Sequence, residues 1–356
     1  MGELWRGDMG EGYERQGECY RSESSLLMKS GCHFLRDHLG QQATWALLLL
    51  FCGCSFAQTA PAKRPFKLVA KTAAFWSLID RDAKMETMAT GFGFTEGPVW
   101  DKSGYLWVSD EVLNKIFRVY PDGHREEMIS LGDPDGSTYD LDHRLVSTAS
   151  VLRAVIRLSK DGKSYVVLAD HYEGKRLNSP NDVVLGPDGA LYFTDPTLDL
   201  VKGERQETPF QGVYRLDKGG KLQLLTKDLS QPNGLAFSPD GKYLYIDDDE
   251  KKDIRVYQFH ADGSISNGRL FGSEDDGTDD GVPDGIRADK KGNLYVVGPR
   301  GIWIWSPAGV HLGTIEVPEQ PANLSWGGTD DSILYITATT SIYKIQTKAH
   351  GFVPYH

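Results

Sequence analysis

Six oxygen-bearing side chains recur at the head of six similar segments: Glu96, Asp135, Asn181, Asn233, Asp284 and Asn323. Ten or eleven residues after each comes a leucine that opens an alternating apolar run: Leu106, Leu145, Leu191, Leu244, Leu294 and Leu334. Carboxylates and amide carbonyls are hard ligands. They suit Ca²⁺, with Mg²⁺, Mn²⁺ or Zn²⁺ as substitutes. Glu96 and Asp284 together balance a divalent charge, while Asn181 and Asn233 add oxygens without adding repulsion. Four such ligands leave about two to four Ca²⁺ coordination positions open. Open positions accept water and substrate, as a catalytic metal requires. Asp284 is then the candidate catalytic residue, as general base on water or as nucleophile.

Residues so far apart converge only in a repeating fold. The intervals between the six are 39, 46, 52, 51 and 39 residues, about 45 on average, the length of a four-stranded propeller blade. In a propeller the first strands surround a channel, so equivalent positions form a ring about the axis. The expected fold is all-β: a six-bladed β-propeller with four-stranded blades around a central metal channel. A pair of long β-sandwiches is the alternative, and it leaves the repeat unexplained. The segment from Arg176 to Pro196 shows the unit: a polar approach, an apolar strand, a turn at Pro187-Asp188-Gly189 and an alternating aromatic return. Further short strands are expected at 66–70, 115–120, 155–159, 212–216, 254–259, 301–305 and 341–345. No stretch keeps a 3.6-residue apolar period, so few helices are expected. Ring closure calls for a strand from residues 66–95 beside the last strands of the chain.

Each ring residue also has a plainer use. Asn233-Gly234 and Asp284-Gly285 are ordinary turn dipeptides. Glu96 reads equally as a strand-edge carboxylate, and Asp135 and Asn323 as structural caps. The Asp275–Asp280 run reads as a solvated acidic loop. No Gly-x-Ser-x-Gly elbow, Walker loop or dinucleotide fingerprint occurs.

All four cysteines (Cys19, Cys32, Cys52, Cys54) precede Gln58. The apolar run 43–56 is short for a membrane span. It follows Lys29 and Arg36 and leads into Ser55-Phe56-Ala57, the pattern of a secretory signal peptide. The expected organisation is a non-native leader plus signal peptide over 1–57, with the start at Met28 and cleavage after Ala57. A linker over 58–65 and a single propeller domain over 66–350 follow. The mature chain would be exported, periplasmic or secreted, and free of disulfides and of any membrane span. Lipoprotein anchoring through Cys54 is the minority alternative. The charge is −11, and removing residues 1–57 leaves −9. This is a poor surface for nucleic acid. Nothing in the sequence sets the oligomeric state.

Glu96-Gly97-Pro98, Asn178-Ser179-Pro180-Asn181-Asp182, Phe193-Thr194-Asp195-Pro196, Pro232-Asn233-Gly234-Leu235 and Asp284-Gly285 occur in order at blade spacing. In these motifs the chain resembles the family of senescence marker protein, gluconolactonase and luciferin-regenerating enzyme, over nearly all of residues 90–346. The resemblance implies a six-bladed propeller with an axial divalent metal, usually Ca²⁺, on Glu96, Asn181, Asn233 and Asp284. It implies hydrolysis of a small-molecule substrate, a sugar lactone in many members and an organophosphate in some. Asn323-Leu324-Ser325-Trp326-Gly327-Gly328 points to the bacterial gluconolactonase-like branch. There the second blade is expected to carry Asn-Gly and a Glu-His pair, whereas this chain has Asp135-Gly136 and Ala149-Ser150. The expected reaction is calcium-dependent opening of a sugar lactone, with Asn178, Asp182, Asp135 and Arg176 as candidates to hold substrate hydroxyls. A phosphotriesterase using the same ring, and a non-catalytic exported binding propeller, are the alternatives.

Overall fold

The alternating runs form strands, and the Gly-containing turns between them form hairpins. The first blade is Thr95–Asp101, Tyr105–Asp110, Lys115–Val119 and Arg125–Ser130, paired antiparallel in that order. Four further four-stranded sheets and one of five strands repeat it. This is a computed structural model, and it describes residues 63–278 and 280–355. The leader, the signal-peptide run and the start of the linker lie outside the described residues.

The six innermost strands are Thr95–Asp101, Pro134–Tyr139, Val183–Leu185, Pro232–Phe237, Ile286–Ala288 and Pro321–Gly327. The second strand of each blade is packed on both faces, which is why these runs are almost continuously apolar. Leu191–Asp195 is buried at every position. Adjacent blades interlock through aromatics. Tyr192 meets Phe237 edge-on at 4.8 Å, and Trp100 stacks on Tyr335 at 4.9 Å. Pro187-Asp188-Gly189 is a turn, as expected: Gly189 has φ +75°, and Ala190 N donates to Asp188 Oδ1 at 3.1 Å.

The ring closes between the two ends of the domain. Met85–Thr90 pairs with Ser341–Gln346 and completes the sixth blade. Lys67–Ala70, the expected early strand, adds instead to His311–Glu316 as a fifth strand on blade five. Among the described residues the helical content is a single 3₁₀ turn, Ala73–Ser77, which buries Phe75. No helix among the described residues is long and apolar enough to cross a membrane.

The chain continues past residue 350 across the far end of the channel. Phe352 N donates to Ala288 O at 2.9 Å, and Tyr355 packs edge-on to Tyr139 at 5.3 Å. Phe352–Tyr355 leaves a cavity of about 40 Å³ beneath Ser137, Arg287 and Ser325. The channel is therefore stopped at that end.

Candidate functional site

The residues that head the inner strands touch one another in sequence around the axis. Ser109 Oγ, on blade one, donates to the carbonyl of Asp135 at 2.7 Å. Gly136 N donates to the carbonyl of Asn181 at 2.9 Å. Thr194 Oγ1 donates to the carbonyl of Asn233 at 2.8 Å. Gly234 faces Asp284, and Gly285 N donates to Ala322 O at 3.0 Å. Asn323 Nδ2 donates to Glu96 Oε2 at 2.8 Å and returns the circuit to its start. All six ring positions therefore meet at one end of the channel.

The Asn-Gly and Asp-Gly pairs are not turns. Gly234 lies inside the strand Pro232–Phe237. A Cβ on Gly234 would sit 2.0 Å from Asp284 O. The glycine is there so that neighbouring inner strands can approach, not to reverse the chain.

Glu96 is 2% exposed. Its Oε2 accepts from Gly97 N and Asn323 Nδ2, while its Oε1 has no partner. Asn233 Oδ1 is likewise buried without a partner. Asn181 Nδ2 donates to Asp135 Oδ2 at 2.8 Å, which leaves its carbonyl oxygen as the end able to take a cation. Ser150 Oγ reaches the same Asp135 oxygen at 3.4 Å, so two of the residues that depart from the expected second-blade pattern are in contact.

The carboxyls crowd each other. Burial pushes Glu96 up to about 8, and the charge of Asp182 adds to this. Burial, then the charges of Glu96, Asp247, Asp249 and Glu111, hold Asp284 well above the ordinary carboxyl range. Asp135 is raised in the same way by burial and by Glu111, Glu96, Asp199 and Asp284. Unpaired buried oxygens beside mutually repelling carboxyls are the signature of a missing counter-charge. A hard divalent cation fits the set Glu96, Asn181, Asn233 and Asp284. Among the described residues no three His, Cys, Asp or Glu side chains are close enough to hold a metal by themselves. The two amides are therefore needed alongside the two carboxylates.

The other expected residues lie around this ring rather than in it. Asp182 sits one step below, 1% exposed, with Oδ2 3.5 Å from Arg287 Nη1. Asn178 is fully buried behind the ring, and its Nδ2 donates to the carbonyls of Asp195 and Phe210 at 3.2 and 2.9 Å. Arg176 lies on a two-stranded hairpin, His171–Tyr172 with Lys175–Arg176, and its Nη2 donates to Leu152 O at 3.3 Å.

Sequence reasoning missed a second tier of acids. Glu111, Asp133, Asp199 and Asp249 stand on loops around the mouth. Burial, then Asp199, raises Asp133 to about 7. Burial, then Asp248 and Asp199, raises Asp249 to about 6. Asp199 bonds to Asn181, which places its loop over the ring. Asp247 was also missed. It occupies the third position after the anchor leucine, where other blades carry Ser109, Thr148, Thr194 and Thr337. Its Oδ1 accepts from Gly234 N at 2.8 Å, and its Oδ2 is buried without a partner. Extending the repeat along the second strand would have found it. A larger cavity, about 480 Å³, lies at the opposite end of blades two and three and holds none of the ring residues.

Six four-stranded blades around an axial cluster of oxygen-bearing side chains define this chain as a six-bladed β-propeller. The model of the SMP-30/gluconolactonase/LRE-like region matches residues 94–340, and the chain belongs to that family. It is 34% identical over 301 residues to the gluconolactonase of Zymomonas mobilis, covering 77% of this chain and 84% of that one. It is 26% identical over 253 residues to a pentonolactonase of Haloferax volcanii, covering 68% of this chain and 80% of that one. Among solved structures, a gluconolactonase of Xanthomonas campestris superposes with TM-score 0.73 at 30% identity, over 81% of this chain and 99% of that one.

Proposed function

We propose that this chain is a calcium-dependent hydrolase that opens the ring of a sugar lactone at the axial site. The observation that carries the reading is the convergence of Glu96, Asn181, Asn233 and Asp284, with buried oxygens of Glu96 and Asn233 left unpartnered. Two similar proteins named as gluconolactonases, and a third named as a pentonolactonase, support the substrate class.

Glu96, Asn181, Asn233 and Asp284 would hold the cation, with Ca²⁺ favoured and Mg²⁺, Mn²⁺ or Zn²⁺ as substitutes. When bound, the cation supplies Lewis-acid polarisation of the lactone carbonyl. Asp284 takes the proton of the attacking water and later returns one to the departing ring oxygen. With the site empty, burial and then the like charges around it raise its proton affinity. Gly97 and Asn323 orient Glu96, and Asp135 orients Asn181. Asp135 would also accept from a substrate hydroxyl. Arg287 neutralises Asp182 beneath the ring, which keeps further negative charge out of the centre.

The test is acid release from D-glucono-δ-lactone and from a phosphotriester, side by side, with and without chelator. Lactone turnover that is lost in chelator and restored by Ca²⁺ is expected. Turnover unaffected by chelation would overturn the metal role, and turnover of the phosphotriester alone would overturn the substrate class.

A further inference from the structure

One position of the repeat changes character in a single blade. The residue after the anchor leucine is Trp107, Tyr192, Tyr245, Tyr295 and Tyr335 in blades one, three, four, five and six, but Val146 in blade two. The aromatic side chains fill the seam to the following blade. Trp107 Nε1 donates to Tyr139 Oη at 2.7 Å. Tyr192 meets Phe237, Tyr295 meets Trp326 edge-on at 4.8 Å, and Tyr335 stacks on Trp100. Tyr245 joins the apolar cluster of Ile286 and Ala288 in blade five. Across the seam from blade two to blade three the corresponding residues are Val146 and Leu185, and the cavity of about 480 Å³ opens at this seam.

The missing ring leaves its polar partners behind. In blade three Tyr192 Oη donates to Asp188 Oδ2 at 3.0 Å and accepts from Arg215 Nε at 3.1 Å. Arg215 is the residue opposite Tyr192 on the third strand. In blade one the corresponding Arg118 lies 4.6 Å from the Trp107 ring. Blade two keeps the arginine without the ring. Arg157 stands opposite Val146. Its Nη1 is 3.5 Å from Asp140 Oδ2, and its Nε is buried with no partner. Arg157 and Asp140 line the cavity together with the buried Leu185, Leu191 and Leu216.

Three acids edge this cavity, and each is already engaged. Asp140 Oδ1 accepts from Asp142 N and Arg144 N at 2.9 and 3.0 Å. Asp142 pairs with Arg144 at 3.3 Å. Asp217 Oδ1 accepts from Gly219 N and Lys221 N at 2.8 and 2.9 Å. Lys218 lies in the same wall. Its Nζ is 3.1 Å from where a Cβ on Gly189 would stand, and no carboxylate among the described residues pairs with it.

We propose that this cavity is a binding site for a one-ring phenol that carries a carboxylate. The ring takes the place of the aromatic side chain that blade two lacks and covers Leu185, Leu191 and Leu216. Leucine walls favour an aromatic ring over water. The hydroxyl donates to Asp140 Oδ2 and accepts from Arg157, as Tyr192 does with Asp188 and Arg215. The carboxylate faces Lys218. The site lies at the other end of the blades from the acidic ring, and none of the ring residues takes part in it.

The experiment is isothermal titration calorimetry on the full chain with Ca²⁺. The probe is 4-hydroxyphenylacetate, with phenylacetate and p-cresol beside it. One site per chain is expected for the probe, with phenylacetate and p-cresol each weaker by about tenfold. Arg157→Met and Lys218→Ala are each expected to weaken the probe by about tenfold, and R157M to remove the difference between the probe and phenylacetate. Val146→Tyr supplies the ring from the chain itself and is expected to abolish binding. Arg157 is only partly buried and Lys218 is exposed, so R157M and K218A decide the matter whether or not V146Y folds. No binding of the probe at millimolar concentration would overturn the proposal. So would equal affinity for the probe and phenylacetate in the wild type, or binding of the probe that R157M and K218A leave unchanged, since either places it elsewhere.

Discussion

Replacing Glu96 with Gln separates the cost of the acidic ring from its use. Folding raises this carboxyl from an ordinary 4.5 to about 8. A group raised in this way stabilises the fold fully below its unfolded value, and that contribution is lost as pH climbs through the folded one. The window is therefore pH 4.5 to 8. One pKa unit corresponds to ~1.4 kcal/mol. Between pH 6 and pH 8 the metal-free wild type thus loses ~2 kcal/mol through Glu96, about 5 °C in Tm for a domain of this size. Glutamine cannot ionise, and its carbonyl still accepts from Gly97 and Asn323. In chelator, the Tm of wild type is expected to fall about 5 °C further than that of E96Q between these pH values. The neighbouring carboxyls shift the same way, so E96Q flattens part of the slope and leaves the rest. With Ca²⁺ in excess the order reverses, because the variant lacks a ligand and gains less from binding. The measurement is differential scanning fluorimetry in chelator and in Ca²⁺ across the pH series. Equal slopes in chelator, or equal gains from Ca²⁺, would refute the reasoning.

Asp284→Asn keeps the shape and removes the proton acceptor. It is expected to lower lactone turnover by about 10²–10⁴-fold while circular dichroism stays unchanged, and wild-type kcat in this variant would exclude the role. Gly234→Ala places a methyl 2.0 Å from Asp284 O. It is expected to cost ~2 kcal/mol or more of stability and to lose activity through the displaced Asp284, measured by urea melts beside the lactone assay. The signal-peptide reading places the mature terminus at Gln58, to be read by N-terminal sequencing of the protein from the culture medium or periplasm; an intact leader on the mature protein argues against export.

The ring was legible because a propeller converts sequence period into spatial convergence. Glu96, Asn181, Asn233 and Asp284 recur ten or eleven residues before an anchor leucine, and that offset is a place on the axis. The rim acids had no such offset. Asp199 and Asp249 sit on loops whose lengths vary from blade to blade, and their approach to the ring depends on contacts such as Asp199 with Asn181. Asp247 kept the period but in the second strand, where a carboxylate replaces the hydroxyl of Ser109, Thr148 and Thr194. Asn178 misled in the opposite way. It is three residues from Asn181, yet the chain bends at Asn178 itself, and its amide faces Asp195 and Phe210 instead. The Asn-Gly dipeptide misled because one glycine serves two ends, a positive φ in a turn or a close backbone approach in a strand.

The sixth blade takes three strands from the end of the domain and one from its beginning. Met85–Thr90 pairs with Ser341–Gln346, and Ser341 Oγ donates to Thr90 Oγ1 across 251 residues of chain. These contacts close the ring over 251 residues of chain, so they bear a large entropic cost of closure and are expected to form late. A nascent chain still attached at its carboxyl end holds five blades and an open edge strand waiting for its partner. The acidic ring shares that fate, because Glu96 meets Asn323 only across the same seam. Synthesis must finish before the barrel can shut and before a cation has a complete cage to enter. If the chain is exported unfolded and the ring holds a cation as proposed, the ring would close, and the cation enter it, on the far side of the translocation pore.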